Sequence, residues 1–167
     1  KKTMTLAQQM YEGVEIGKEG PVGLITYMRT DSTRIAGEAQ AEAREFIRER
    51  FGADYMPATP NVYKTQKAAQ EAHEAIRPTS VSRDPERVKP FLQREQYLLY
   101  KLIWNRFVSS QMTPAVLEVT RVDIATNGDR FRANGTVVKF PCYTVLYTES
   151  ADGTAQPTAP TAADREA

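Results

Sequence analysis

The sequence predicts an α+β protein, in which a mainly helical, tyrosine-bearing domain is followed by the start of an antiparallel β domain. Apolar residues recur at helical spacing through the first two thirds of the chain, and β-branched runs follow Pro114. We therefore predict a helical domain over residues 1–112 and a β-strand segment over 113–149. Residues 150–167, rich in Ala, Thr and Pro, are expected to form a flexible tail or a long loop.

Four helices are predicted in the first domain from the spacing of apolar residues. The predicted apolar faces of three of them consist of Ala7, Met10, Tyr11 and Val14; of Ile35, Ala39, Ala43, Phe46 and Ile47; and of Leu98, Leu99, Leu102, Ile103 and Phe107. We expect Asp31 or Ser32 to cap the second helix and Gly52 to end it. The third helix is expected over about residues 66–76, because Pro78 disfavours helical geometry in the residue before it.

Beyond Pro114 the sequence predicts a meander of strands over residues 115–148. The pairs Asn127-Gly128 and Asn134-Gly135 separate the β-branched runs, and Asn-Gly favours the positive φ angles of tight hairpin turns. Both pairs are therefore predicted to be turns. A few strands leave unpaired edges, so we infer that the second domain is only begun in this chain.

Composition excludes several classes of protein. The formal net charge is +1, so any phosphate contact must come from individual arginines and not from a broad basic field. A single cysteine, Cys142, excludes an internal disulfide and a zinc site built on cysteine pairs, and it agrees with a reducing compartment. No apolar stretch is long enough to span a membrane, and the N-terminus lacks the features of a secretory signal, so we expect a cytoplasmic protein.

Motifs for nucleotide hydrolysis, esterase chemistry and magnesium binding are missing from this sequence. It contains no GxxxxGK[ST] loop, no GxSxG elbow and no Asp-x-Asp-x-Glu cluster. The acidic residues of the second predicted helix are expected to form a solvated face and not a metal site; they are Glu38, Glu42, Glu45 and Glu49.

The segment LITYMRTDS, residues 24–32, presents the first candidate for chemistry. A tyrosine hydroxyl has a pKa near 10, so a nucleophilic Tyr27 would need cationic or hydrogen-bonding help. In an extended segment Arg29 would point to the same side as Tyr27, and its guanidinium matches the oxygens of a phosphodiester. The alternative is that Tyr27 is a half-buried aromatic residue at the end of a short strand.

The only histidine lies in the second candidate segment, EAHEAIRPT, residues 71–79. If this segment is helical, His73 and Arg77 are one turn apart and form a donor pair of the size of a phosphate group. Alternatively, His73 is a structural residue on an Ala-Ile face. Glu74 is either a surface carboxylate or a partner that orients Arg77.

Taken together, the ordered blocks LITYMRTDS and EAHEAIRPT resemble the active-site region of type IA DNA topoisomerases, in particular the bacterial members. The flanking stretches MTLAQQMYEG and LLYKLIWNRFVSSQM are also similar, so the resemblance covers about residues 1–148. It implies an enzyme that relaxes negatively supercoiled DNA by transient single-strand cleavage, strand passage and religation, without a nucleotide cofactor. It also implies that Tyr27 forms a 5′-phosphotyrosyl intermediate, that Arg29 positions the scissile phosphate, and that His73 lies near that phosphate.

The same resemblance implies further site residues and partners. Arg77, Thr30 and Asp31 are expected to contact DNA, mainly single-stranded, or to orient the catalytic residues. The strand segment would be one arm of a β-rich hinge. The acidic, metal-binding domain of the family has no counterpart here, so we expect the chain to be a piece of a longer, nucleoid-associated enzyme. Magnesium is expected for the complete enzyme, with no metal or cofactor held by this chain.

Two other functions remain open from the sequence. Tyrosine recombinases and type IB topoisomerases also combine arginines, a histidine and a tyrosine at a phosphate, but their tyrosine follows the Arg-His set, whereas Tyr27 precedes His73 and Arg77. A non-catalytic helical module that binds single-stranded DNA could use the same arginines as phosphate clamps and its tyrosines as stacking platforms.

Overall fold

The chain folds as two compact units, Lys1–Met112 and Thr113–Ala167, and the α-helices lie in the first. The computed structural model describes residues 1–63 and 73–147. The first unit contains helices α1 (Lys2–Glu12), α2 (Gly37–Phe51), α3 (Pro85–Val88) and α4 (Arg94–Ser110), and a short antiparallel ribbon of β1 (Val14–Glu15) and β2 (Pro21–Val22). The second unit contains strands β3 (Val116–Thr126) and β4 (Asp129–Phe140). The predicted α+β class is therefore confirmed.

The core of the first unit forms where α1, α2 and the long helix α4 bury their apolar faces. Met10 of α1, Ile47 of α2 and Val108 of α4 are fully buried. The rings of Phe46 and Trp104 meet edge-on, 5.5 Å apart, so α2 contacts α4 through an aromatic pair. Within the described residues, no helix combines the length and the apolar character that a membrane span requires.

Helix α4 buries only part of the predicted apolar face, notably Phe107. Leu98 and Leu102 are 54% and 52% exposed, whereas the buried residues are Gln96, Tyr100, Trp104, Phe107, Val108 and Ser109. The Tyr100 hydroxyl donates to the carbonyl of Arg83 (2.6 Å), and the Trp104 indole donates to the carbonyl of Val81 (3.1 Å). Large aromatic side chains with a polar atom can bury much area and still form hydrogen bonds, and this outweighed the simple leucine periodicity.

Helix α2 ends at Gly52 as predicted, but its start differs. The helix begins after Ala36 without a side-chain cap, so neither Asp31 nor Ser32 caps it. The Ser32 hydroxyl donates a hydrogen bond to the carbonyl of His73 (2.7 Å). The predicted solvated acidic face is also wrong at Glu42. This carboxylate accepts hydrogen bonds from the Ser80 hydroxyl and from the backbone N–H of residue 81, so it ties α2 to the loop before α3.

The third predicted helix is wrong over residues 73–76, which are not helical, while residues 64–72 lie outside the described residues. An antiparallel bridge joins Ile25 to Pro78, with hydrogen bonds from the Thr26 N–H to the Arg77 carbonyl (2.9 Å) and from the Thr79 N–H to the Leu24 carbonyl (3.0 Å). Pairing with a distant segment has outweighed local helical preference, as tertiary context commonly does.

Gly23 allows this paired segment to lie directly against the end of α1. The Leu24 N–H donates to the Met10 carbonyl (2.7 Å), and a Cβ atom added at Gly23 would lie 2.8 Å from the Tyr11 carbonyl oxygen. No side chain fits there without a shift of backbone. The close approach fixes the start of the segment that leads to Tyr27.

Strands β3 and β4 form one antiparallel hairpin instead of the predicted meander. Asn127 and Gly128 have φ angles of 42° and 92°, which confirms the first predicted turn. The second predicted turn is wrong, since Asn134 and Gly135 lie within β4 and pair with Arg121 and Thr120. A continuous ladder of cross-strand hydrogen bonds has overridden the local Asn-Gly signal. The end of the predicted strand region, Cys142–Val145, is a 3₁₀ helix.

We expect Gly23→Ala to destabilise the chain by about 1–3 kcal/mol, because the new methyl group would overlap the Tyr11 carbonyl. Urea unfolding followed by circular dichroism measures the change. Gly37→Ala is the matched control: a Cβ atom there meets nothing within 4 Å, so no loss of stability is expected. Equal midpoints for Gly23→Ala and the wild-type chain would contradict the prediction.

We expect the free energy of unfolding to fall as the pH rises above about 10, the ordinary pKa of tyrosine. Burial raises the pKa of Tyr100, and the hydrogen bond to Glu86 raises the pKa of Tyr97 to about 12. A raised pKa in the folded state stabilises the fold below the unfolded-state pKa, and that contribution is lost as the pH rises through the folded-state pKa. Tyr100→Phe should therefore unfold with a shallower dependence on alkaline pH in urea titrations from pH 8 to 11.

Tyr100→Phe should also be less stable at neutral pH by about 1 kcal/mol, since the Arg83 carbonyl loses its donor. Parallel stability curves for the two proteins between pH 8 and 11 would show that Tyr100 does not contribute to the alkaline loss.

Candidate active site

Tyr27 follows directly on the paired segment and projects into a cleft in the first unit. Its side chain is 53% exposed. The Tyr11 ring meets the Tyr27 ring edge-on at 5.4 Å between centroids, and the His73 ring lies 6.4 Å away on a tilted plane. The cleft has a volume of about 410 Å³, and its lining residues are Tyr11, Gly23, Ile25, Thr26, Tyr27, His73, Glu74 and Thr79. The structure therefore brings Tyr27 and His73 together.

Arg29 has a different geometry from the one that the sequence predicts. The Arg29 N–H donates to the Tyr27 carbonyl (2.9 Å), so the chain turns after Tyr27 instead of continuing as an extended strand. The Arg29 guanidinium donates to Asp31 Oδ2 at 2.7 Å, and both side chains are partly exposed. Arg29 does not line the cleft of Tyr27, and its charge is already paired within the loop.

The backbone of His73 is fixed, while part of its imidazole has no partner. The carbonyl of His73 accepts a hydrogen bond from Ser32 Oγ at 2.7 Å. Among the described residues, His73 Nδ1 is buried without a hydrogen-bond partner, as is Asp31 Oδ1. Buried polar atoms are normally paired, so unpaired ones in a native structure call for an explanation, and binding of a ligand is one.

Glu74 and Arg77 form an ion pair beside the cleft. Arg77 donates through Nε (2.9 Å) and Nη2 (2.7 Å) to the same oxygen of Glu74, and the Arg77 side chain is only 12% exposed. The sequence left two interpretations of Glu74, a surface carboxylate or a partner that orients Arg77. The ion pair favours the second interpretation. Thr30, the remaining predicted site residue, is exposed.

Sequence reasoning did not single out Tyr11 or Thr26 as site residues. Tyr11 belongs to the predicted apolar face of the first helix, yet it is 41% exposed and contacts Tyr27. Thr26 immediately precedes Tyr27, and its hydroxyl bonds to the backbone of residues 75 and 77. The only sequence signal for Thr26 was its position next to the candidate nucleophile, whereas Tyr11 had none.

Chemically, the cleft combines an exposed phenol, an imidazole and a carboxylate. A phenol and an imidazole at this separation can both reach a group of the size of a phosphate. Across the described ranges, 1–63 and 73–147, no group of three or more His, Cys, Asp or Glu side chains is arranged to hold a metal ion.

Comparison with known proteins shows which family the chain belongs to. Residues 1–166 match the DNA topoisomerase family. A solved structure that the chain resembles is full-length topoisomerase I from Thermotoga maritima, with a TM-score of 0.74 and 41% sequence identity over 96% of this chain. The chain belongs to the bacterial type IA DNA topoisomerase family, which confirms the resemblance found in the sequence. It covers 25% of the Thermotoga maritima chain, and thus spans about a quarter of that protein's length.

We expect Glu74→Gln to lower the free energy of unfolding by about 1–2 kcal/mol, because Arg77 would keep its charge in a largely buried position without an anionic partner. Urea unfolding measures the loss. Glu45→Gln is the matched control, since Glu45 and Arg48 form an exposed pair at the same i, i+3 spacing and such pairs contribute little. Equal losses in the two variants would contradict a stabilising role specific to the Glu74–Arg77 pair.

Proposed function

We propose that this chain is the part of a type IA topoisomerase that cleaves and reseals DNA, so that the complete enzyme relaxes negatively supercoiled DNA. The observation that carries the proposal is the half-exposed Tyr27 residue in a cleft shared with His73, in a chain that belongs to the DNA topoisomerase family. A half-buried aromatic residue would show a similar exposure; the shared cleft with His73, the only histidine of the sequence, and the membership of the topoisomerase family favour a nucleophile instead.

In this proposal the Tyr27 hydroxyl oxygen attacks a backbone phosphorus of one DNA strand. The new bond is a 5′-phosphotyrosyl ester, the bond that breaks is that to the 3′ oxygen, and the released strand end carries a 3′-hydroxyl. Resealing is the reverse reaction, in which the 3′-hydroxyl attacks the ester and frees Tyr27. Covalent catalysis of this kind conserves the phosphodiester bond energy while another strand passes, so no nucleotide cofactor is needed.

Arg29 and His73 act on the same phosphate in this mechanism. Arg29 stabilises the charge that develops on the phosphate oxygens. For this, Arg29 must either give up its hydrogen bond to Asp31 or contact Asp31 and the phosphate together. The unpaired His73 Nδ1 supplies hydrogen-bonding capacity next to Tyr27, in keeping with a contact to the phosphate or a proton relay. Arg77 contributes indirectly, because Glu74 holds its guanidinium at the edge of the cleft.

Other parts of the complete enzyme would supply the rest of the reaction. Its acidic domain would hold magnesium and take part in proton transfer, and the chain would bind mainly single-stranded DNA on the bacterial nucleoid. The hairpin of β3 and β4 would belong to the hinge that opens the DNA gate, and Asp31 and the exposed Thr30 would lie along the path of the bound strand.

We expect Tyr27→Phe to abolish covalent attachment to DNA while it leaves oligonucleotide binding largely unchanged, because only the nucleophilic oxygen is removed. The measurement uses a 3′-end-labelled single-stranded oligonucleotide. It is incubated with this chain, with magnesium, and with a fragment of the Thermotoga maritima enzyme that contains the residues to which this chain has no match. A denaturing gel shows label at protein size where an adduct forms. Tyr11→Phe is the matched control, since it removes a hydroxyl from the same cleft, and it should still form the adduct.

The competing functions differ in which end of the cleaved oligonucleotide, 3′ or 5′, stays attached to the protein. A type IB enzyme or a tyrosine recombinase holds a 3′-phosphate, so an adduct that retains a 5′-end label instead would contradict the type IA proposal. Oligonucleotide binding without any adduct in either labelling scheme would favour a non-catalytic binding module.

A further inference from the structure

Two hydroxyl groups join the loop that carries Tyr27 to the segment that carries His73. Thr26 Oγ1 donates to the carbonyl of Ala75 (2.8 Å) and accepts from the N–H of Arg77 (3.0 Å). Ser32 Oγ donates to the carbonyl of His73 (2.7 Å), and Ser32 is buried. The loop over residues 26–32 is therefore attached to residues 73–77 near both of its ends.

We propose that Thr26 and Ser32 are positioning residues for DNA cleavage: their hydroxyl groups hold His73 in place beside the Tyr27 nucleophile. The catalytic part of this inference rests on the proposed function, whereas the structural part does not. Neither side chain needs to touch DNA for this role, since each acts through the backbone of the histidine segment.

Backbone pairing alone does not account for this placement. The bridge between Ile25 and Pro78 lies on the far side of Thr26 from Tyr27, and the described segment that contains His73 forms no helix. In the described part of the chain, two backbone hydrogen bonds join this stretch to residues 26–34, from the Thr26 N–H to the Arg77 carbonyl (2.9 Å) and from the Ala75 N–H to the Arg34 carbonyl (2.8 Å). The other hydrogen bonds are those of the Thr26 and Ser32 hydroxyl groups, and only the Ser32 bond reaches His73 itself. Loss of either hydroxyl would therefore weaken one end of the attachment while its backbone hydrogen bond remains.

Thr26→Val tests the inference with little change in side-chain volume, because valine keeps the branched shape and removes both hydrogen bonds. Thr26→Ser retains the hydroxyl and should rescue the effect. Ser32→Ala removes the second attachment. Ser110→Ala is the control, since the Ser110 hydroxyl also bonds a backbone carbonyl, that of Phe107 at 2.6 Å, in the last turn of α4.

The first readout is the NMR signal of the His73 imidazole in this chain, which is unambiguous because His73 is the only histidine. Thr26→Val and Ser32→Ala should shift or broaden this signal and weaken the ring contact with Tyr27, while Thr26→Ser and Ser110→Ala leave both as in the wild-type chain. The fluorescence of the single tryptophan, Trp104, confirms that each variant is folded. An unchanged His73 signal in folded Thr26→Val, or an equal change in Thr26→Ser, would overturn the inference.

The second readout is the rate at which the labelled oligonucleotide becomes attached to this chain, in the mixture with magnesium and the Thermotoga maritima fragment described under Proposed function. Thr26→Val should slow it roughly tenfold to a hundredfold, the scale of a misplaced catalytic group, with oligonucleotide affinity changed by no more than about twofold. Thr26→Ser should restore the rate. A wild-type rate in Thr26→Val would overturn the positioning role. If the wild-type chain itself forms no adduct, the proposed function fails, and the His73 signal still decides whether the hydroxyl groups hold this segment.

Discussion

The pairing of residues 24–26 with residues 77–79 is the constraint on which the arrangement of the site depends. It brings together two segments that are about fifty residues apart in the chain, and it does so through backbone hydrogen bonds on both sides of the bridge between Ile25 and Pro78. Because Tyr27 comes directly after one segment and His73 shortly before the other, the bridge places both side chains at one cleft. Neither residue could reach the other through local structure alone.

The surrounding core holds this bridge from both sides. On one side, Gly23 permits contact between the start of the paired segment and the end of α1. On the other, the loop that follows residue 79 is fixed by Glu42 of α2 and by Tyr100 and Trp104 of α4. The anchors at Glu42, Tyr100 and Trp104 each join a side chain of a helix to the backbone of a loop, so burial of the helices also determines where that loop lies.

The sequence could predict the features that depend on local signals or on an ordered pair of motifs. Helical spacing indicated α1, α2 and α4, Gly52 indicated the end of α2, and Asn127-Gly128 indicated the hairpin turn. The two motifs also predicted that Tyr27 and His73 lie close together, and the structure brings both to one cleft. These signals succeed because neighbouring residues carry them and no distant contact opposes them.

The remaining features depend on contacts between distant residues, which a local pattern cannot show. His73 lies outside any helix because its segment pairs with residues 24–26, and Asn134-Gly135 is part of a strand because β3 continues opposite it. The buried face of α4 follows from two backbone carbonyls that accept hydrogen bonds from Tyr100 and Trp104. The hydrogen bonds of Thr26 were equally hidden, since its partners at residues 75 and 77 lie about fifty positions away.

The ion pairs at the site have a consequence for how this unit would hold a nucleic acid. Arg29 and Arg77 each already have a carboxylate partner two or three residues away, Asp31 and Glu74. A phosphate that bound either arginine would replace an internal anion, and the freed carboxylate would then repel it. Salt-dependent affinity for DNA arises when unpaired cations displace the counterions condensed on the strand. In the proposed mechanism the two arginines would therefore add little to such affinity, and they would instead orient a phosphate that other parts of the complete enzyme attract.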